Sequence, residues 1–355
     1  MDMEVILMYT LEDYITYYGN SSFEEVPFNH MDALIFTMFP YLPVDTIKDG
    51  TKLSTLYKMV EKASLNERGA PYYIRLLIKK MIGTKRYEEI ACYHSKKIVD
   101  QEIQFGAMTI RFPNGTFVAY EGTNLALIGW KENFLLACTY HTKTQQEALK
   151  YFKKTINYTD KNVYVGGHSK GGNLAMYIGM ETPKNLFKKI KMIYNFDGPG
   201  FRKKEFYSDK YQRLREKLFN LLPDGSLVGI IMNNTNYHVV ETNGIGMEKH
   251  SPSRWHIFGQ FFVPNNLYDS SAKLHDSLNE RLENLKEEDM IQVIDTFFGL
   301  LNEHHIKTRE DLKMLKMIEI KKMFDDAKNL DEESKKVLID MIKMFFTSNK
   351  KRSKK

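Results

Sequence analysis

The sequence is poor in cysteine: Cys92 and Cys138 are the only two. That excludes a disulfide framework and a cysteine-rich metal site. Long apolar runs are missing as well, none reaching the ~18 residues that span a bilayer. The start, Met1-Asp2-Met3-Glu4, lacks the basic region of a secretory signal, so a protein of the reducing cytoplasm is the expectation. Charge of one sign is nearly balanced, and much of the net +6 sits in Lys350-Lys351-Arg352-Ser353-Lys354-Lys355. The body therefore carries no nucleic-acid footprint. No internal repeat occurs, and only that tail is of low complexity. Aromatic residues at 13% and 19 methionines are plentiful and suit a large apolar interior. The chain is long enough for one large α/β domain with an appendage.

One stretch organises the rest. Val163-Tyr164-Val165 runs into Gly167-His168-Ser169-Lys170-Gly171, and a helix-forming segment, Gly172-Asn173-Leu174-Ala175, follows. Gly-x-Ser-x-Gly between a strand and a helix is the setting of a nucleophile elbow. The bare pattern arises by chance in roughly one chain in ten of this length, so its flanks carry the weight. A serine there sits on a strained turn with its oxygen held clear of the sheet.

Along the chain, residues 1 to about 65 read as mostly helical, with Pro40 and Pro43 closing one apolar segment. Tyr72–Ile78 and Tyr87–Tyr93 read as helix or buried connection. Met108–Phe112 and Thr116–Tyr120 form a hairpin about Pro113-Asn114-Gly115. A loop then continues past Gly129–Phe134, and Gln145–Phe152 is an amphipathic helix. Lys191–Phe196 reads as a strand, about Lys203 to Leu221 as a basic helical stretch, and Ser226–Met232 and Tyr237–Thr242 as strands. This alternation predicts an α/β fold: a mostly parallel central sheet flanked by helices, after an antiparallel hairpin. Residues 1–265 form that domain. Residues 266–355 read as a C-terminal helical appendage, with a capping box at Thr308–Asp311 and a basic tail.

A serine nucleophile needs a base, a group that orients the base, and donors for the oxyanion. With this elbow the order is Ser, then acid, then His. Asp197 ends the strand after the elbow helix, and Gly198-Pro199-Gly200 turns the chain away from its carboxylate. Asp224 competes, although it stands before a strand and Asp-Gly is an ordinary turn signal. His250, in a loop after the last strand, is the favoured base, with His256 and His238 as alternatives. His168 is expected to pack, and His304 and His305 to lie solvated in the appendage. The oxyanion donors are the backbone N–H of Lys170 and a group at Gly122-Thr123 after an earlier strand.

Tyr120-Glu121-Gly122-Thr123, Gly129-Trp130-Lys131-Glu132 and the segment from Gly167 to Ala175 resemble the class 3 lipases. They are more similar to a family of bacterial lipase-like proteins with a Gly-His-Ser-Lys-Gly-Gly-Asn elbow and an Asp-Gly-Pro-Gly-Phe strand end, as at Asp197–Phe201. The resemblance covers roughly residues 25 to 265 and implies an α/β-hydrolase fold with Ser169 as nucleophile. Three departures stand out. Glu121 replaces the usual Arg. Lys170 replaces an apolar residue and is expected to place a cation beside the pocket. The acid of class 3 lipases lies one strand later than Asp197, which keeps Asp224 open, whereas Asp197 matches the pancreatic-type lipases.

The expected activity is that of a serine hydrolase, lipase- or esterase-like, acting on a small-molecule or lipid ester through an acyl-enzyme. A non-catalytic binding or regulatory protein on the same scaffold is the alternative. No metal or organic cofactor is implied, and the oligomeric state is left open. Val337, Leu338, Met341, Ile342 and Phe345 recur at helical spacing before the tail. A packed C-terminal helix accounts for them, and so does weak contact with a membrane surface.

Overall fold

A computed structural model describes residues 10–67, 69–100, 102–123, 127–303, 332, 335 and 336. Thr308–Asp311, His304, His305, the apolar series from Val337 to Phe345 and the basic tail lie outside the described residues.

The chain opens with helices α1 (Leu11–Tyr18) and α2 (His30–Met38). Thr10 and Asn29 cap them, each with an aspartate three residues on that returns the bond, so the starts of both helices are fixed locally. A short 3-10 turn, Phe39–Tyr41, follows α2. Next come β1 (Thr51–Lys52), α3 (Leu53–Val60), α4 (Ala70–Met81), β2 (Ala91–Val99), β3 (Gln104–Phe112) and β4 (Gly115–Tyr120). Asn114 alone takes the positive φ of the β3–β4 turn. Helices α5 (Leu127–Cys138) and α6 (Lys143–Thr155) lead to β5 (Val163–His168), α7 (Lys170–Glu181), α8 (Lys184–Phe187) and β6 (Ile190–Phe196). Then follow α9 (Lys203–Phe206), α10 (Asp209–Arg215), β7 (Leu218–Pro223), β8 (Tyr237–Val240), the hairpin β9 (Ile257–Phe258) and β10 (Phe261–Phe262), α11 (Asp269–Asn284) and α12 (Glu287–Glu303).

Strands β1 to β8 form one sheet in sequence order, antiparallel from β1 to β4 and parallel from β4 to β8. Right-handed crossovers between parallel strands laid down in order return every connecting helix to the same face. Accordingly α6, α7 and α10 share one apolar cluster with Val118, Tyr120, Val163, Val165 and Ile193. The opposite face would be bare without the amino-terminal helices, and α1 to α4 cover it, packing on Phe117, Ala119, Tyr194 and Phe196. Alternate residues of β4 thus enter different cores, which is why the strand reads as an unbroken apolar run.

Four local expectations are corrected. Tyr87–Tyr93 leads into strand β2; the mixed burial of β2, with Lys96 and Lys97 on it, blurs the strand signal. Gly129–Phe134 is part of helix α5. The basic stretch from Lys203 to Leu221 contains two short helices and then strand β7. Ser226–Met232 is irregular, its apolar side chains buried in a loop, and Asp224 therefore follows β7 at its carboxyl end. Helices α11 and α12 pack on the body: Asn279 bonds Met232 N (2.7 Å) and Ile230 O (3.1 Å), and Lys131 of α5 pairs with Asp295 of α12 (2.7 Å).

Candidate active site

Ser169 joins β5 to α7 with φ 59° and ψ −131°, in a region that costs a non-glycine residue about 1–3 kcal/mol. The strain is held from both sides. Ser169 N–H donates to Phe196 O, and Gly172 N–H donates to Ser169 O, each at 2.9 Å. The flanking glycines are steric necessities. A Cβ on Gly167 would stand 2.1 Å from the Gly171 carbonyl carbon, and one on Gly171 would stand 2.1 Å from Tyr120 O. The next motif residue, Asn173, reaches sideways: its Nδ2 donates to Pro199 O (3.0 Å) and Gly200 O (3.1 Å). The Gly-Gly-Asn end of the elbow is therefore bonded directly to the turn after Asp197.

Asp197 is fully buried at the tip of β6 with φ +52°. Asn195 shapes the turn by accepting from Gly198 N–H (3.0 Å). One carboxylate oxygen, Oδ1, accepts from Ser226 Oγ (2.5 Å) and Gly229 N–H (3.0 Å). The other, Oδ2, faces His250 Nδ1 at 2.5 Å. The loop read as a strand over Ser226–Met232 is thus the cradle of this carboxylate, and its backbone and hydroxyl donors serve Asp197 rather than a ladder.

His250 ends a 3-10 turn, Gly246–His250, and is held from the elbow. His168 Nε2 lies 2.8 Å from His250 O, and the two rings are 4.4 Å apart. His168 Nδ1 lies 3.2 Å from Tyr41 Oη. Burial, then the charge His250 can carry, push the His168 pKa well below its ordinary value, so His168 is a neutral ring with Nε2–H donating. The expectation that His168 packs holds. Tyr41, from the turn after α2, belongs to the site, and no local motif announced it.

Residues 81–299 match the model of the Mbeg1-like family, well over half of the chain. The chain belongs to the Mbeg1-like family. No curated protein and no solved structure matches it. The Mbeg1-like match takes in Ser169, Asp197 and His250 and leaves Tyr41 outside.

The Mbeg1-like chain treats the other candidates differently. Asp224, also fully buried, pairs with Lys249 Nζ at 2.7 Å and accepts from Thr242 Oγ1 (2.7 Å) and Asn265 Nδ2 (2.9 Å). Burial raises its carboxyl pKa, but Lys249 and Thr242 outweigh burial and hold it below the ordinary value. His238 is exposed on β8, stacked on Phe219 at 5.2 Å. His256 lies against Glu241.

Lys170 corrects an expectation. Its ammonium is fully buried and turned away from solvent, 2.6 Å from Glu132 Oε2 and 2.7 Å from Gln104 Oε1, and it also donates to Gln104 O. Burial lowers its pKa, opposed by Glu132 and Glu121. The Glu121 carboxyl is pushed up by burial, against the pull of Lys97 and Lys170. The two departures from the lipase pattern, Glu121 and Lys170, thus belong to one buried charge cluster. Thr123 is half-buried, and its hydroxyl donates to Asn133 Oδ1 (2.8 Å), so the hydroxyl is already engaged. The loop itself does reach Ser169: a Cβ on Gly122 would stand 3.0 Å from Ser169 Cβ. Among the described residues no cluster of metal-ligating side chains occurs, and no helix is long and apolar enough to cross a membrane.

Proposed function

We propose that this chain is a serine hydrolase of α/β-hydrolase fold, lipase- or esterase-like, that cleaves a carboxylic ester. One observation carries the reading: the Asp197–His250 pair, at 2.5 Å, is tied to the elbow by the 2.8 Å contact of His250 O with His168 Nε2, and the next residue, Ser169, is held at positive φ. With Nδ1 committed to Asp197, Nε2 of His250 is the nitrogen left to take the Ser169 proton. Ser169 Oγ attacks the ester carbonyl, and its proton passes to His250 Nε2. The oxyanion draws on the Lys170 and Thr123 backbone N–H groups. Collapse expels the alcohol, which takes the proton from His250 and leaves an acyl-serine. Water then repeats the sequence and releases the acid.

Asp197 stabilises the imidazolium through Oδ2, while Ser226 and Gly229 fix Oδ1 so that the carboxylate cannot rotate away. The neutral state of His168 also matters, because a second cation 4.4 Å from the imidazolium would oppose it. The test is hydrolysis of p-nitrophenyl esters of graded chain length by the native protein and by Ser169→Ala. Turnover by the native protein, lost by at least about a thousandfold in the variant, supports the reading. Equal turnover removes Ser169 from it, and inactivity of the native protein at every chain length favours a binding role on the same scaffold.

A further inference from the structure

The loop that follows β4 is anchored at each of three consecutive residues. Glu121 N–H donates to Gly106 O at 2.8 Å. Gly122 O accepts from Gln104 Nε2 at 3.3 Å, and the Thr123 hydroxyl donates to Asn133 at 2.8 Å. The first anchor leaves the Glu121 side chain lying over Gly106, where a Cβ would stand 2.0 Å from Glu121 Oε2. The other two anchors lead back to the residue after the nucleophile. Gln104 can offer its amide N–H to Gly122 only if its oxygen faces the other way, and that oxygen accepts from Lys170 Nζ at 2.7 Å. Lys170 in turn is paired with Glu132, which accepts from Gln104 N–H at 3.0 Å and from the Thr144 hydroxyl. Glu132 and Asn133 are neighbours on α5, so one helix turn holds both the ammonium and the Thr123 hydroxyl.

Gly122 C=O and Thr123 N–H belong to one trans peptide, in which the two bonds point in opposite directions. Fixing the carbonyl on Gln104 therefore fixes the direction of the N–H. We propose that the Lys170 side chain, through Gln104 and Glu132, is a positioning element that aims the Thr123 N–H as the second oxyanion donor. Lys170 then serves the oxyanion twice, by its own backbone N–H and by the side-chain clamp on the opposite donor. A lysine after the nucleophile is compatible with an acyl-binding site because its charge is spent inside the fold, on a task an apolar residue cannot perform.

This inference rests on the hydrolase reading and adds the means by which the second donor is set. Gln104→Glu is the discriminating substitution, since it keeps an acceptor for Lys170 and removes the N–H given to Gly122. A direct loss of an oxyanion donor costs about 10²–10³ in rate, so loss of its aim is expected to lower kcat by roughly 10- to 100-fold. KM for a short p-nitrophenyl ester should stay within about threefold, because the ground-state carbonyl uses the donor little. Affinity for an alkyl boronic acid, whose tetrahedral adduct mimics the oxyanion, should fall with kcat while the melting temperature holds. Lys170→Met alone strands the Glu132 carboxylate, so the paired change K170M with E132Q is the second probe and should reproduce the selective loss. If the native protein turns over ester and both changes leave kcat and boronate affinity intact, or lower them only in step with the melting temperature, the positioning role is wrong and the hydrolase reading stands. If the native protein neither turns over ester nor binds boronate, both fall together.

Discussion

The tips of β6 and β7 carry one buried aspartate each, and they are used in opposite ways. Asp197 faces an imidazole, and Asp224 faces an ammonium. Both partners come from the same 3-10 turn and are consecutive in sequence, Lys249 turning to one acid and His250 to the other. A carboxylate against an ammonium is neutralised permanently. A carboxylate against an imidazole has a partner that can take up and release a proton, which makes the pair useful in proton transfer. Asp224 is in this sense an anchor: it fixes Lys249, Trp255 Nε1 donates to Lys249 O (2.8 Å), and the turn then presents His250 to Asp197.

The comparison can be broken most forcefully at Asp197. Asp197→Asn should lower kcat/KM for an active ester by about 10³–10⁴, the cost of mis-set tautomer and lost charge in a serine triad, as steady-state kinetics will show. Asp224→Asn should do the reverse. It leaves a buried ammonium without its counter-ion and should cost about 3 kcal/mol in urea denaturation, while kcat/KM falls by less than about tenfold. Removing both charges with D224N and K249M should bring stability back to within about 1 kcal/mol of native, which a double-mutant cycle measures. The smallest effect concerns His168. Its folded pKa lies below the ordinary 6.5, so the unfolded chain takes up the proton first as pH falls. Its contribution is whole above that value and is lost below it. His168→Gln keeps a donor for His250 O, and the drop in urea midpoint between about pH 7.5 and about pH 5.5 should be smaller in this variant than in the native protein.

What was legible in the sequence is what local chemistry dictates. The elbow, the β3–β4 hairpin, the strand ending at Asp197 and the late loop with His250 each carry a turn, a cap or a period of their own. The apolar run Val228, Ile230 and Ile231 misled because burial alone does not make a strand: its backbone donors are directed at a carboxylate. Reading that run as a strand also put Asp224 on the wrong side of one. Lys170 misled for a related reason. A lysine beside a nucleophile suggests an exposed cation, and only the tertiary approach of Gln104 and Glu132 supplies its partners. Tyr41 was invisible because its contact with His168 joins positions more than a hundred residues apart.

The most direct test of the division of labour between the two acids is the rate at which a fluorophosphonate probe labels Ser169 in the native protein, Asp197→Asn and Asp224→Asn, with the labelled peptide mapped. The account predicts a label on Ser169, slowed at least about 100-fold by Asp197→Asn and by less than about tenfold by Asp224→Asn. A label elsewhere, or a greater slowing from Asp224→Asn than from Asp197→Asn, would contradict it.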